Sequence, residues 1–244
     1  MIGQSAGKSY AYLLGVYLGD GALTDCGYGP VAFRLNVVDM DFAEATASAL
    51  EAVTGKRPNI RTSPVKNGRD NHAITLTDRP LAARLLADTE AKKRIPMDVI
   101  AAWPRDWQMA FVAGLMDSEG FVAENRGNPT NRRFYMGFKC TADWVPDFIV
   151  LIQSLGIRIG KVQTEAPRKE GYRAPTRFLI KMQSWIDSGG YFHIDRKQRR
   201  VTEWGRFGAY ERRAAFPRRL TSEANMPDPA TLPVKIESEL RREA

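Results

Sequence analysis

Two nine-residue segments of this 244-residue chain carry an acid in the same setting. Leu13–Gly21 reads LLGVYLGDG and Val112–Gly120 reads VAGLMDSEG. Both have one pattern: apolar, small or apolar, Gly, apolar, apolar, any residue, small, acid, Gly. The acids are Asp20 and Glu119, 119 − 20 = 99 residues apart. Two carboxylates brought together repel, and an acid at a helix C-terminus faces the negative end of the helix dipole. A divalent cation relieves both costs, because it binds the carboxylates and the free carbonyls of the last helical turn. Paired carboxylates holding Mg²⁺ hydrolyse phosphodiesters by activating water and stabilising the leaving oxygen. One Gly-x-x-x-small-acid-Gly is a common helix C-cap. Two copies in equivalent places of a basic chain ask for more than capping.

The remaining composition closes off other chemistries. Cys26 and Cys140 are the only cysteines and His72 and His193 the only histidines. That excludes a disulfide framework and a Cys-based zinc site, and it argues against a His-rich centre. Two buried thiols are expected rather than a Cys26–Cys140 bridge. A metal is left with carboxylate and carbonyl ligands, which suit Mg²⁺ or Ca²⁺. The chain carries 36 Lys+Arg against 28 Asp+Glu, a net charge of +8, and its pI is near 9.6. Such a balance favours an anionic partner, nucleic acid or a membrane surface, without choosing between them. No apolar run is long enough to span a membrane, and Met1–Ser5 lacks a basic or apolar leader. A soluble intracellular protein is expected, cytoplasmic or nucleoid-associated, with an organelle left open.

The acids need elements that bring them together. Ser9–Gly19 and Asp106–Ser118 are mostly apolar and free of proline, as helices require. Gly15 and Gly19 are four apart, as are Gly114 and Ser118, so the small residues stack on one helix face. Two such faces can approach backbone to backbone. Asp20 and Glu119 then become neighbours at the end of that interface. After each motif comes a polar Gly/Asn-rich stretch, an alternating segment and a helix. These are Val31–Val38 with Asp41–Thr54, and Arg132–Thr141 with Trp144–Leu155. Phe33, Leu35 and Val37 alternate with Arg34 and Asn36. Phe134, Met136, Phe138 and Cys140 alternate with Arg133, Tyr135, Lys139 and Thr141. Period two means one buried face and one basic, polar, exposed face. Further strand pairs are expected at Asn59–Val65 with His72–Thr77, and at Gly160–Ala166 with Thr176–Met182. Short helices are expected after them at Pro80–Ala87 and Gln183–Ser188. Each half reads helix, two strands, helix, two strands, helix: an α+β fold built from a repeat.

At these motifs the sequence resembles the LAGLIDADG homing endonucleases in their single-chain, two-motif form. Leu13–Gly21 matches at its Gly, small, acid and Gly positions, and Val112–Gly120 matches more closely. Arg94-Ile95-Pro96 matches the family's usual helix entry, and the resemblance runs from about Ser9 to Arg200. It implies two pseudo-symmetric αββαββα halves forming a saddle of antiparallel sheets, with the motif helices at the central interface. The expected divisions are residues 1–102, 103–200 and a basic extension and tail at 201–244. It implies a monomer that makes a double-strand break in a long asymmetric DNA site and leaves short 3′ overhangs. Asp20 and Glu119 would bind Mg²⁺, helped by the carbonyls of Gly19 and Ser118, with Ca²⁺ or Mn²⁺ able to take its place. Each acid would serve one strand. By position Asn36 and Lys139 on the strands, and Lys93 and Lys197 near the helices, would order water, with Lys92, Arg94, Arg196 and Arg199 close by as alternatives to the lysine pair. The first motif departs from the pattern. Leu18 stands where a first acid is usual, and Leu14 and Tyr17 are bulky. The family's first acid often binds no metal, so the site itself is left intact.

The exposed strand residues Arg34, Arg133 and Tyr135 are candidate contacts to double-stranded DNA. Arg57, Arg61, Lys66 and Arg69 join them in the first half, and Lys161, Arg168, Arg173 and Arg177 in the second. A charge run is usually just a solvated face, so the case rests on its coincidence with alternating strands. The densest basic stretch, Arg196–Arg219, interleaves Trp204, Phe207, Tyr210 and Phe216. Thr221–Ala244, with three prolines, is expected to be loosely ordered. The alternative reading is a nucleic-acid-binding protein that does not cleave, an intron RNA maturase or a DNA-binding regulator on the same scaffold.

Overall fold

The computed structural model describes residues 4–25, 30–64, 68–92, 94–125, 133–167, 171 and 173–214. Residues 1–207 group as one compact unit. It begins with α1 (Gln4–Leu18), β1 (Ala22–Asp25), β2 (Pro30–Val37), α2 (Met40–Thr54), β3 (Ile60–Pro64), β4 (Asp70–Thr77) and α3 (Arg79–Asp88). The short α4 (Met97–Ala101) leads into α5 (Arg105–Ser118), β5 (Gly120–Asn125), β6 (Arg133–Cys140), α6 (Val145–Ser154), β7 (Ile159–Thr164), β8 (Thr176–Ile180) and α7 (Met182–Asp187). A long helix, α8 (Asp195–Ala214), comes last.

Each half makes one antiparallel four-stranded sheet of the same order, β1-β2-β4-β3 and β5-β6-β8-β7. The expected αββαββα repeat is therefore present twice. Directly after each motif, where composition suggests only a polar Gly/Asn-rich stretch, the backbone forms β1 and β5. Ala22-Leu23-Thr24 and Phe121-Val122-Ala123 do alternate, but over too few residues to stand out. The strand parity holds. Phe33 and Leu35 are buried while Arg34 and Asn36 are exposed. Met136, Phe138 and Cys140 are buried while Tyr135 is exposed.

The motif helices form the centre. Nearly every residue of Tyr10–Leu18 and Met109–Asp117 is buried. They cross at Gly15 and Gly114. A Cβ on Gly15 would lie 2.3 Å from the Phe111 carbonyl oxygen, and one on Gly114 would lie 2.3 Å from that of Tyr12. The two contacts are equivalent on exchange of the helices, as a pseudo-twofold axis through the crossing requires. Nearer the acids, a Cβ on Gly19 would meet Ser118 Cβ at 2.3 Å. The small-residue stripe thus works as the spacing predicts. The closing glycines serve a different purpose from a left-handed cap. Neither Gly21 nor Gly120 has positive φ. A side chain there would strike the preceding helix, at Tyr17 Cα (2.8 Å) or the Met116 oxygen (2.4 Å).

The basic stretch that begins at Arg196 is helical as far as Ala214, where the described residues end, and its charge pattern does not announce this. Among the described residues, no helix is long and apolar enough to cross a membrane. Cys140 is a free, buried thiol. Cys26 and Thr221–Ala244 lie outside the described residues.

Candidate active site

Asp20 and Glu119 leave the C-terminal ends of α1 and α5 side by side. The Gly15–Gly114 crossing puts the helix ends together, and Gly19 lets the chains touch: its added Cβ would sit 3.6 Å from Glu119 Cγ. Burial, and then the negative charge of Asp20, push the Glu119 carboxyl above the usual range; the Cys140 thiol, donating to Glu119, and Lys92 and Lys197 oppose this. Burial also raises Asp20, against the positive charges of Lys197 and Lys92. Asp20 is exposed on its open side whereas Glu119 is half-buried. Solvent on that side screens Asp20 in part.

Two lysines reach the same helix ends. Lys92 Nζ donates to the Gly19 carbonyl of α1 at 3.0 Å. Lys197 Nζ donates to the carbonyls of Met116 (3.0 Å) and Asp117 (2.6 Å) at the end of α5. Positive charge there complements the negative end of each helix dipole. Lys197 is 3% exposed, and burial lowers its ammonium pKa to about 8. Burial lowers Lys92 too, against the pull of Asp20 and Glu119. Different devices aim the two amines. Lys92 sits on a tight turn in which Glu90, Ala91 and Lys92 all have positive φ (46°, 58° and 69°). The Lys92 N–H donates to Thr89 Oγ1 (3.1 Å) and the Ala91 N–H to the Leu86 carbonyl (3.0 Å), which hold that turn. Lys197 is carried by the first turn of α8.

Two cavities flank the helix ends. One, of about 370 Å³, is lined by Asp20, Asn36, Asn71, Ser118, Arg196 and Lys197 among others. The other, of about 300 Å³, is lined by Tyr17, Gly21, Leu23 and Lys92 among others. The sheets place Asn36 and Lys139 equivalently. Ala22 faces Arg34 and Phe121 faces Gly137, and Asn36 and Lys139 each lie two residues further on. Their side chains differ. Asn36 lines the larger cavity, while Lys139 Nζ is held by Glu165, which also takes Arg177 at 3.4 Å.

The proposed DNA contacts divide. Arg34, Arg61, Arg69 and Lys161 are exposed. Tyr135 is exposed with its ring edge-on to Phe121, and Arg177 lies over that same ring at 5.2 Å. Arg57 is turned to α2, 2.8 Å from Glu51. Arg173 pairs with Asp143 at 2.7 Å. Lys66, Lys93 and Arg168 fall outside the described residues, as does the side chain of Arg133. Asn71 and Asp117 are site residues that the sequence does not single out. Lys92 and Arg196 are among the alternatives to Lys93 and Lys197, the pair that the resemblance suggests.

No family model matches the sequence, and no curated protein matches it. Solved structures do. A mesophilic variant of the homing endonuclease I-DmoI superposes with a TM-score of 0.50 at 15% identity, covering 76% of this chain and 94% of that one. The homing endonuclease I-WcaI, bound to its DNA recognition sequence, superposes with a TM-score of 0.51 at 9% identity, covering 75% and 80%. A double mutant of I-SmaMI superposes with a TM-score of 0.50 at 10% identity, covering 84% and 92%. The chain has the fold of the LAGLIDADG homing endonucleases. In that fold the repeated sheets and the motif-helix crossing belong to one architecture, so Asp20 and Glu119 occupy the two ends that the repeat makes equivalent.

Proposed function

We propose that the chain is a site-specific DNA endonuclease that makes a Mg²⁺-dependent double-strand break in a long asymmetric duplex, leaving short 3′ overhangs. One observation carries the reading: two carboxylates meet at a backbone-close helix crossing, each with a lysine amine on the carbonyls of its own helix end. Stability alone would not keep this pair. The donor set fits a hard divalent cation, because Asp20, Glu119 and the carbonyls of Gly19 and Ser118 are all oxygen ligands. Bound there, Mg²⁺ would supply Lewis-acid stabilisation of the leaving oxygen and a more acidic water. Lys197 Nζ, poised near neutral pH, takes or returns a proton beside one reacting phosphate, and Lys92 Nζ does so beside the other. Asn36 orients water in the larger cavity. Arg34, Arg61, Arg69, Lys161 and Tyr135 meet the duplex from the exposed sheet faces and loops. The folds of I-DmoI, solved in a variant complexed with its target DNA in the presence of Mg, and of I-WcaI support DNA as the partner.

The test uses duplexes recovered by selecting cleaved molecules from a randomised library. Asp20→Asn and Glu119→Gln should each abolish cutting of at least one strand and leave binding in place. Full cleavage by both variants would refute the assignment. Binding without cleavage is favoured by one contact: Lys92 already occupies the Gly19 carbonyl. On that reading the two lysines balance the two acids without a metal. A gel assay with a candidate intron RNA and with the intronless DNA separates the two readings.

A further inference from the structure

Asp117 is the one acid of the second motif with no counterpart in the first, where Leu18 stands. Its side chain is wholly buried. A buried carboxylate is tolerated only where hydrogen bonds replace its water. Its partners come from two other elements. Tyr12 Oη of α1 donates to it at 3.1 Å. In the turn before α8, the His193 N–H lies 3.2 Å from both oxygens, and His193 Nδ1 lies 3.0 Å from Oδ2. The rings of Tyr12 and Tyr191 close on His193 edge-on, at 4.5 and 5.2 Å between centroids.

That turn is tied to α8 from within. The Phe192 N–H donates to Gln198 Oε1 and the Lys197 N–H to the Ile194 carbonyl, both at 2.9 Å. Four residues after His193, Lys197 reaches back to the carbonyl of Asp117 itself. One residue therefore seats the turn with its carboxylate and receives the lysine with its carbonyl. The loop closes on itself with no slack. In the first half Leu18 supplies no such anchor, and Lys92 is aimed by its left-handed turn instead.

We propose that Asp117, acting through His193, is a positioning residue for Lys197, so that cutting of only one DNA strand depends on it. The inference rests on the endonuclease reading and adds an inequality between its two half-reactions. His193→Gln leaves the buried acid, both motif helices and the Lys92 turn unaltered, so a defect should track the lysine. The full chain is assayed with duplexes recovered by cleavage selection, each strand labelled separately, in single-turnover reactions across DNA concentration. A displaced catalytic group costs rate steeply, so His193→Gln should slow one strand about tenfold or more, with the other within about twofold and DNA affinity unchanged. The slowed strand should be the one that Lys197→Met slows, and the double variant should be no slower than Lys197→Met alone. Equal slowing of both strands, slowing of neither, or a change in affinity alone would overturn the proposal.

A second measurement needs no cleavage. Amide hydrogen exchange over residues 192–197 should quicken in His193→Gln and in Asp117→Asn, with the buried turns of α1 unchanged. Unchanged exchange in that segment would also overturn the anchor. A wild-type chain that binds but cuts neither strand would sink the endonuclease reading, and exchange would still decide the anchor.

Discussion

The helix crossing makes a demand that one methyl group tests. In Gly114→Ala the new Cβ would start 2.3 Å from the Tyr12 carbonyl oxygen and 2.9 Å from the Val16 nitrogen. Ordinary contact begins at 3.4 Å, so α1 and α5 must part by about 3.4 − 2.3 = 1.1 Å. The struck atoms are backbone and cannot rotate aside. Overpacking costs about 1–3 kcal/mol, and a backbone clash belongs at the upper end. Alanine's better helix propensity returns about 1 kcal/mol. The net loss is about 2 kcal/mol, or roughly 4–8 °C in Tm for a unit of this size. Gly15→Ala meets the equivalent contacts, the Phe111 carbonyl oxygen at 2.3 Å and the Leu115 nitrogen at 2.9 Å, and should cost the same. The double variant should cost less than the sum, because one separation relieves both clashes. Parting the helices also parts Asp20 from Glu119, so the thermal shift produced by Mg²⁺ should shrink. Gly55→Ala is the control. Its φ of +73° makes a side chain strained but meets nothing within 4 Å, so it should lower Tm and leave the Mg²⁺ shift alone. Thermal melts of each variant with and without Mg²⁺ provide the readout. A Gly114→Ala protein as stable as wild type would refute the crossing.

Charge supplies two further outcomes. The Lys197 pKa, about 8 in the fold against 10.5 ordinarily, means the unfolded chain binds more protons between those values. Wild-type stability should therefore rise with pH from 8 to 10.5 relative to Lys197→Met; a constant difference in denaturant melts would refute the buried amine. Without divalent metal, the raised carboxyl of Glu119 means the folded state holds its proton more tightly. Stability should fall as pH climbs out of the ordinary carboxylate range through the raised value, and Glu119→Gln should flatten that fall. Mg²⁺ at a hundred times its Kd should add about 2.7 kcal/mol to wild type and less to Glu119→Gln. Equal gains in both would remove Glu119 from the metal site.

Much of the fold was legible from residue spacing, and the rest escaped for identifiable reasons. The motif helices, the adjacency of the acids and the strand faces all come from periodicity, which the chain must obey to bury its apolar side. The lysine near α1 could not be chosen that way. Lys92 is brought to Gly19 by three successive left-handed residues, a conformation that Glu90 and Ala91 do not advertise. Arg57 borders a strand and so suggests a sheet-face contact, but Glu51 on the preceding helix is nearer. Lys139 holds the register position expected of it, while cross-strand Glu165 captures its amine. α8 escaped because its basic residues read as a charge run, and its anchors lie some 150 residues away in sequence: Asp39 is 157 residues from Arg196 and Asp41 is 154 from Asp195.

Those distant anchors decide how far the two halves can act apart. Arg196 grips Asp39 with two hydrogen bonds, of 2.7 and 2.8 Å, and the Asp195 N–H donates to Asp41 at the start of α2. Arg196 is half-exposed, so this pair adds little stability. Its effect is positional. The next residue is Lys197, whose amine completes the α5 end of the site. The second half's lysine is thus set from one side by its own Asp117 and from the other by the first half's Asp39 and Asp41. The first half's lysine, Lys92, is set within its own half. Pseudo-symmetry of the sheets therefore conceals an inequality: the contacts that aim Lys92 come from its own half, and those that aim Lys197 come from both. On the endonuclease reading, a misjoined pair of halves should therefore displace Lys197 before it displaces Lys92.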